Sequence, residues 1–440
     1  MQGRMKLPRT GLTKAELFER MDRLSREDAN WRQGKTFSLV YYAGDEMLDV
    51  VKEAYLRFFS ENALNPMAFP SLRRFESEVL RMTADLFHGD AETAGTMTSG
   101  GSESILMAVK TARDWARAHR PEVKNPRMLL PLSAHPAFEK AAHYFDVEPV
   151  HIPLDASFRA DVAEARKLLD ASTILVVGSA PAYPHGVVDP IEELSNLAKE
   201  AGILFHTDAC LGGFLLPFAE KLGKDVPVFD FRLPGVTSIS ADLHKYGFAA
   251  KGASTVLYRN RDLRRFQYYA YANWPGGLYG SPSMTGTRPG GAIAAAWAAL
   301  NFVGEEGYVN LARRILDTSK AIVDGIRATP GLRVLGDPQY SVFAFTSDVV
   351  DIYALGDAME ARGWKLDRQQ RPPALHMMIT PAHEKLVDQF LADLREATLG
   401  LEQGTVAPEG SAAMYGMLGS MEARDQVEQF ILQFMDGLDG

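Results

Sequence analysis

The 440-residue chain has a single cysteine, Cys210, and no run of 18 apolar residues. One cysteine excludes an intramolecular disulfide framework and a metal site built from several thiolates, and it fits a reducing cytoplasm. The richest apolar stretch, "AIAAAWAALNFVG", is too short to span a bilayer, and residues 1–20 lack the apolar core of a signal peptide. We therefore expect a soluble, cytoplasmic protein with no integral membrane segment.

An excess of positive charge is also missing. Lys and Arg total 47 against 56 Asp and Glu, so the formal net charge is −9. We therefore expect no nucleic-acid partner and no electrostatic attraction to an anionic membrane. Apolar residues make up 46% of the chain and charged residues 23%, which is typical of a globular protein with a sizeable core.

Short apolar runs alternate with helical patterns through the first 300 residues. The runs "RMLLPL", "TILVVGSA", "ILFHTDA" and "VTSISAD" have the length and composition of buried strands, and amphipathic segments separate several of them. This alternation predicts an α/β fold with a mostly parallel central sheet. We expect an N-terminal helical segment over residues 1–62, a large domain over 63–302 and a smaller α+β domain over 303–440. Thr13 and Glu16 have the spacing of a capping box, which predicts a helix start there.

Polar residues follow the predicted strands directly, at the edge where open α/β sheets bind ligands. Each alone is more typical of a loop or capping group, but together they indicate a binding site. The set is His135, His185, Asp189, Asp208, Asp242, His244 and Lys245.

A turn with two glycines precedes a predicted helix in "TSGGSESILMAVK". Glycines permit close backbone approach, and Ser102 with the first N–H groups of the helix can bind an anion such as a phosphate. Taken alone, the motif more often marks an ordinary turn with a serine cap.

Two lysines, Lys245 and Lys251, lie six positions apart in "SADLHKYGFAAKG". A lysine, a carboxylate and a phosphate-binding helix start together meet the needs of pyridoxal 5′-phosphate. Its aldehyde forms a Schiff base with lysine, and its pyridine nitrogen pairs with a carboxylate. We therefore expect this cofactor, with one of the two lysines attached to it.

Five motifs carry a resemblance to a known family: "TSGGSESILMAVK", "PHGVVDP", "HTDACLGGF", "SISADLHKYGFAAKG" and "GSPSMTGTRPGG". They resemble those of the sphingosine-1-phosphate lyases, and the resemblance runs from about Phe37 to "AAMYGM". It implies pyridoxal-phosphate fold type I, the aspartate aminotransferase-like fold, within the group II decarboxylase-like superfamily. It also implies retro-aldol cleavage of the C2–C3 bond of a phosphorylated sphingoid base, such as sphingosine 1-phosphate, to a long-chain aldehyde and phosphoethanolamine.

The same resemblance implies roles on the cofactor side. Lys245 would form the Schiff base, Asp208 would pair with the pyridine nitrogen, and His135 would lie against the ring. The cofactor phosphate would be bound by Gly101, Ser102 and His244 and, from the neighbouring subunit, by Thr287. Such a shared site requires a homodimer, with "WPGGLYGSPSMTGTRPGG" at the interface.

For the residues near the substrate, the resemblance implies roles with more than one alternative. Lys251 would bind the substrate phosphate or assist proton transfer, and an exposed cation at a strand edge is the less favoured alternative. Tyr41 and Tyr415 would lie near the substrate, and His185 would contact the 3′-oxygen region of the cofactor ring or help to move protons. Asn65 stands where the family usually has a histidine for the substrate phosphate, and Asn cannot carry positive charge. The general base stays open among Lys251, Tyr41, a histidine and the substrate phosphate.

Two other functions remain possible from the sequence. A group II amino-acid decarboxylase would break the bond to a carboxylate with the same cofactor, but Lys251 and Tyr41 favour a substrate that carries phosphate. A protein that binds pyridoxal phosphate without turnover is disfavoured because Lys245 and Asp208 are both present. Cys210, two residues after Asp208, is expected near the cofactor as a small packing residue.

Overall fold

The computed structural model describes residues 6–65, 67–405, 412, 416 and 423–438. In chain order, the helices are α1 (Lys14–Leu24), α2 (Asp45–Arg57), α3 (Pro70–Leu86), α4 (Gly101–His119), α5 (Ala137–Phe145), α6 (Val162–Leu168), α7 (Ile191–Glu200), α8 (Leu216–Lys221), α9 (Arg261–Arg265), α10 (Gly290–Arg327), α11 (Ile352–Glu360), α12 (Val387–Glu402) and α13 (Arg424–Gly437). The strands are β1 (Ala94–Thr98), β2 (Arg127–Pro131), β3 (Glu148–Ile152), β4 (Thr173–Ser179), β5 (Leu204–Asp208), β6 (Ser238–Ala241), β7 (Ser254–Tyr258), β8 (Tyr269–Trp274), β9 (Gly277–Ser281), β10 (Leu332–Val334), β11 (Val342–Ser347), β12 (Asp367–Gln370) and β13 (Pro373–Met378). Short 3-10 helices cover Ser25–Glu27, Trp31–Gln33 and Pro381–Leu386.

The larger sheet has seven strands in the order β1-β7-β6-β5-β4-β2-β3. Its pairings are parallel except those of β7, which runs antiparallel to both β1 and β6. Strands β4, β5 and β6 are buried at every position, which explains their continuous apolar runs. The predicted α/β fold with a mostly parallel sheet is confirmed, and the carboxyl ends of β1, β4, β5 and β6 meet at one edge.

The smaller sheet is antiparallel throughout, in the order β10-β11-β13-β12. It shares a core with α11, α12 and the second half of α10, so the expected smaller α+β unit is present. Phe37, far away in sequence, is buried in this core and stacks on His383 with ring centroids 4.4 Å apart. This anchor holds the segment 38–41 between the two sheets.

Helix α10 connects the two units. It is 38 residues long and contains a kink at Gly304, whose backbone is not helical (φ 62°, ψ 175°). The predicted domain boundary between residues 302 and 303 falls inside this helix, just before the kink. Among the helices that the structure describes, α10 included, none has the length and apolarity needed to cross a membrane.

Helix α1 forms as the capping box predicts. The Thr13 hydroxyl accepts the N–H of Glu16 at 3.3 Å, and the Glu16 carboxylate accepts the N–H of Thr13 at 2.8 Å. No residue of this helix is buried, and Leu17, Phe18 and Met21 are exposed. Local capping therefore defines the start of this helix, and its apolar side chains are not buried against any other part of the chain that the structure describes.

Candidate active site

A cavity of about 490 Å³ opens at the edge where the parallel strands of the larger sheet end. This is the volume of a small-molecule site. Eight of the residues predicted from the sequence line it together: Tyr41, Gly101, Ser102, His135, Asp208, His244, Lys245 and Lys251.

The floor of the cavity carries a buried ion pair in the turn after β6. Lys245 Nζ lies 2.9 Å from Asp242 Oδ2, and His244 Nε2 lies 3.6 Å from the same oxygen. Burial, the largest single effect, would lower the pKa of Lys245, but the acidic groups around it, Asp242 first and Asp208 among them, together outweigh burial and raise that pKa. Burial lowers the pKa of His244 to about 4, so its ring is neutral at pH 7. A cationic lysine and a neutral histidine thus share one carboxylate.

The start of α4 forms a cradle above this floor. Gly100 precedes the helix, and no side chain caps its first turn, so the leading N–H groups remain available to an anion. A Cβ atom on Gly101 would lie only 2.8 Å from both Asp242 Oδ2 and Cys210 Sγ. Only glycine therefore lets the helix start come this close to the floor, and the residues present fit the phosphate of the cofactor.

Asp208 is the last residue of β5 and is buried. Its Oδ1 accepts hydrogen bonds from the Cys210 N–H at 3.1 Å and the Ser240 hydroxyl at 3.3 Å. The carboxylate is therefore held in one orientation on the cavity wall. Burial raises the pKa of Cys210 well above its ordinary value, so the thiol stays protonated and fits the packing role expected for it.

His135 follows β2 and lines the same wall. Its Nδ1 accepts the Ala137 N–H at 3.1 Å, which fixes the orientation of the ring. Burial lowers the pKa of His135, with Asp208 acting in the opposite direction. The flat, neutral ring is available for contact with an aromatic ligand.

Lys251 and Tyr41 meet at another part of the cavity. Lys251 Nζ lies 5.1 Å from the centre of the Tyr41 ring and donates to the His244 carbonyl at 3.4 Å. Burial, followed by the charge of Lys245, lowers the pKa of Lys251. The Tyr41 hydroxyl donates to Met378 Sδ at 3.1 Å, and burial keeps it protonated by raising its pKa. Lys251 is thus exposed, as expected of a cation near a strand end, but its ammonium also lines the cavity beside an aromatic ring.

Two strand-exit residues lie away from the cavity. His185 is buried and stacks on Phe158, with ring centroids 4.2 Å apart, and burial lowers its pKa to about 4. Contact with the cofactor ring was expected of His185, but it does not line the cavity. Asp189 accepts the N–H groups of Ala160 and Ser179 at 2.9 and 2.8 Å, so it serves the structure of the loop.

Two further predicted residues, Asn65 and Thr287, do not line the cavity of their own chain. Asn65 is exposed, and its side chain accepts the Met67 N–H at 3.0 Å. Thr287 is exposed and outside the lining. Tyr415 lies outside the described residues.

The structure adds cavity residues to which the sequence assigned no role. Asp242 follows β6 and was recognised only as one of several polar residues at strand ends. Tyr183 lies in "PAYPHG" after β4, two residues before His185, and the strand-exit pattern pointed only to the histidine. Asp367, at the start of β12, lines the cavity from the small domain. No motif or strand-exit rule points to Asp367, because it reaches the site only through packing of the two domains.

Comparison with known proteins identifies the family. The pyridoxal-dependent decarboxylase conserved domain matches residues 26–347. A sphingosine-1-phosphate lyase of Arabidopsis thaliana is 46% identical over 441 residues, which cover 98% of this chain and 80% of that protein. The chain belongs to the sphingosine-1-phosphate lyase family. It is thus a carbon–carbon lyase with pyridoxal 5′-phosphate as its cofactor.

Other relatives agree with this assignment. Sphingosine-1-phosphate lyase 1 of Rattus norvegicus is 43% identical over 436 residues, 98% of this chain and 76% of that protein. The solved structure of a sphingosine-1-phosphate lyase from Burkholderia pseudomallei has a TM-score of 0.90 at 40% identity and covers 99% of this chain and 97% of its own. A Lactobacillus brevis glutamate decarboxylase, at 20% identity and a TM-score of 0.80, covers 92% of this chain and 97% of its own. That likeness shows a shared fold only.

We predict that Gly101→Ala weakens binding of pyridoxal 5′-phosphate at least about tenfold, a loss of about 1.4 kcal/mol. The added methyl would displace the start of α4 because it meets Asp242 and Cys210 at 2.8 Å. Gly100→Ala is the matched control, since its Cβ would come no closer than 3.3 Å to His244. Titration of the apoenzyme, followed by visible absorbance, measures both affinities, and equal affinities for the two variants would contradict the close-approach explanation.

Proposed function

We propose that the protein cleaves the C2–C3 bond of a phosphorylated sphingoid base and releases a long-chain aldehyde and phosphoethanolamine. One observation carries the proposal: Lys245 and Lys251 line the same cavity, together with the uncapped start of α4. A cofactor phosphate and a substrate phosphate need two separate cationic or N–H-rich positions, and this cavity contains both.

Pyridoxal 5′-phosphate, when bound, supplies an electron sink for the electron pair of the broken carbon–carbon bond. Lys245 would supply the amine for the covalent link to the cofactor, and Asp208 would pair with its pyridine nitrogen. The helix start at Gly101 and Ser102, with His244, would hold its phosphate, and His135 would lie against its ring.

Lys251 and Tyr41 bind the phosphate of the substrate. The Lys251 ammonium provides the charge, and the protonated Tyr41 phenol exchanges its weak hydrogen bond to Met378 Sδ for one to the phosphate. Because the pKa of Lys251 is lowered, this charge is lost at a lower pH than for an ordinary lysine. Affinity for the phosphate should therefore fall as the pH rises through that lowered pKa.

Tyr415 and Asn65 stay predicted substrate neighbours, and His185 has no part in the proposed chemistry.

The protein is proposed to act as a homodimer in which Thr287 of one subunit reaches the cofactor phosphate of the other. Support comes from the hairpin β8–β9, whose Tyr269, Tyr271 and Trp274 are all exposed in the single chain. Clustered aromatic side chains of this kind are enriched at protein interfaces. The exposed apolar residues of α1 give the interface further surface.

Light scattering on the cofactor-loaded enzyme should give twice the 48.5 kDa mass of one chain. Thr287→Ala should retain the dimer and lose cofactor affinity, because it removes one hydroxyl from the phosphate site. A monomer with full activity would contradict the shared site.

The cytoplasm is the proposed location, since the single, buried Cys210 suits a reducing compartment and forms no disulfide. Fractionation of cells that produce the protein tests this directly. Recovery in an oxidising compartment would contradict it.

The experiment that tests the reaction offers the loaded enzyme sphingosine 1-phosphate and, separately, aromatic and acidic amino acids. We expect a long-chain aldehyde from the first and no carbon dioxide from the others. Lys245→Ala should abolish aldehyde release because the amine for the cofactor is gone. Carbon dioxide without aldehyde would indicate a decarboxylase, and cofactor binding without either product would indicate a protein without turnover.

A further inference from the structure

Asp367 lines the same cavity as Lys245 and Lys251, yet the proposed chemistry does not use it. It is the first residue of β12 and belongs to the small domain, whereas both lysines lie between β6 and β7. Its carboxylate is therefore a charge that a second structural unit brings to the site.

Each carboxylate oxygen of Asp367 accepts a hydrogen bond from a neutral hydroxyl. Ser38 donates to Oδ1 at 3.0 Å, and Tyr183 donates to Oδ2 at 3.0 Å. The neighbouring cations Lys365 and Arg368 pair with other carboxylates, and no ion pair to Asp367 forms within the described ranges. Each oxygen keeps accepting capacity for one more donor from the cavity.

The two hydroxyl donors are themselves fixed. The Tyr183 ring stacks on buried His376 with centroids 4.1 Å apart, and the His376 Nε2 bonds to the Tyr183 carbonyl at 2.8 Å. Ser38 directly follows the buried anchor Phe37. Burial and then the charge of Asp367 raise the pKa of Tyr183, so its phenol stays a donor at neutral pH. The carboxylate is thus preorganised, and it does not depend on the ligand for its position.

The chemistry of the substrate limits what this carboxylate can receive. A phosphorylated sphingoid base offers three polar groups: a phosphate, an amine and the C3 hydroxyl. A carboxylate repels the phosphate, which Lys251 attracts, and the amine is the group that reacts with the cofactor. The C3 hydroxyl is the donor that remains.

We propose that Asp367 accepts a hydrogen bond from the C3 hydroxyl of the substrate and so orients the C2–C3 bond for cleavage. The inference rests on the proposed function, because it requires a substrate with a hydroxyl next to the reacting carbon. It makes Asp367, held by Ser38 and Tyr183, a substrate-binding residue that distinguishes 3-hydroxy amines from amines without that group.

The test compares two ligands on the cofactor-loaded enzyme: sphinganine 1-phosphate and its 3-deoxy counterpart, which can bind but cannot be cleaved. Asp367→Ala should lower kcat/KM for the hydroxylated substrate about 10- to 100-fold, the loss expected for a hydrogen bond to a charged group. The Kd of the 3-deoxy ligand, titrated by the visible absorbance of the cofactor, should change by less than about twofold, since that ligand has no hydroxyl to lose. An unchanged Kd for the 3-deoxy ligand also shows that the variant is folded and contains the cofactor.

Two matched variants sharpen the result. Lys251→Met should weaken both ligands alike, because both carry the phosphate. Tyr183→Phe should cause a smaller loss than Asp367→Ala and only with the hydroxylated substrate, since the ring is kept and one hydroxyl is removed. If Asp367→Ala weakens both ligands equally, or neither, the inference is wrong. If the wild-type enzyme releases no aldehyde at all, the proposed function fails instead.

Discussion

The site depends on the ion pair between Lys245 and the buried carboxylate of Asp242. A charged amine is costly to hold in a partly desolvated cavity, and the carboxylate 2.9 Å away is the main attraction that opposes this cost. Removing one partner of such a pair leaves the other charge uncompensated. Both residues are therefore needed for the stability of the fold as well as for the chemistry of the site. The pair also sets the position of the floor against which Gly101 packs.

The two domains contribute different things to the cavity. The larger sheet brings the lysines, Asp208 and the helix start to one edge, because parallel strands end there. The small domain, with the segment anchored by Phe37, brings Ser38, Met378 and Asp367. In the proposed function, the groups that hold the cofactor belong to the large domain, whereas those for the substrate come from both domains, Lys251 from the large one and Asp367 from the small one.

Sequence patterns predict the large domain well because burial at every position leaves continuous apolar runs, as in β4. The capping box of α1 and the polar residues at strand ends follow equally local rules, and Asp208, His135 and Lys245 lie where those rules put them. The same rules fail for His185, because a residue that follows a strand can turn into the protein and stack on Phe158. They cannot find Asp367, whose place in the site comes from a contact between residues far apart in the chain.

Asn65 and Thr287 show a limit of a different kind, which concerns what a single chain can test. Both lie outside the cavity of their own chain, and for Thr287 the proposed homodimer brings the hydroxyl to the cofactor phosphate of the other subunit.

The most direct measurement of the central claim is the position of the covalent link to the cofactor. Borohydride reduction of the loaded enzyme, followed by proteolysis and mass spectrometry, fixes the cofactor to the lysine that carries it. The position of Lys245 in the cavity, with Asp208 and the start of α4, predicts the pyridoxyl group on Lys245 and on no other lysine. A label on Lys251, or on none, would contradict it.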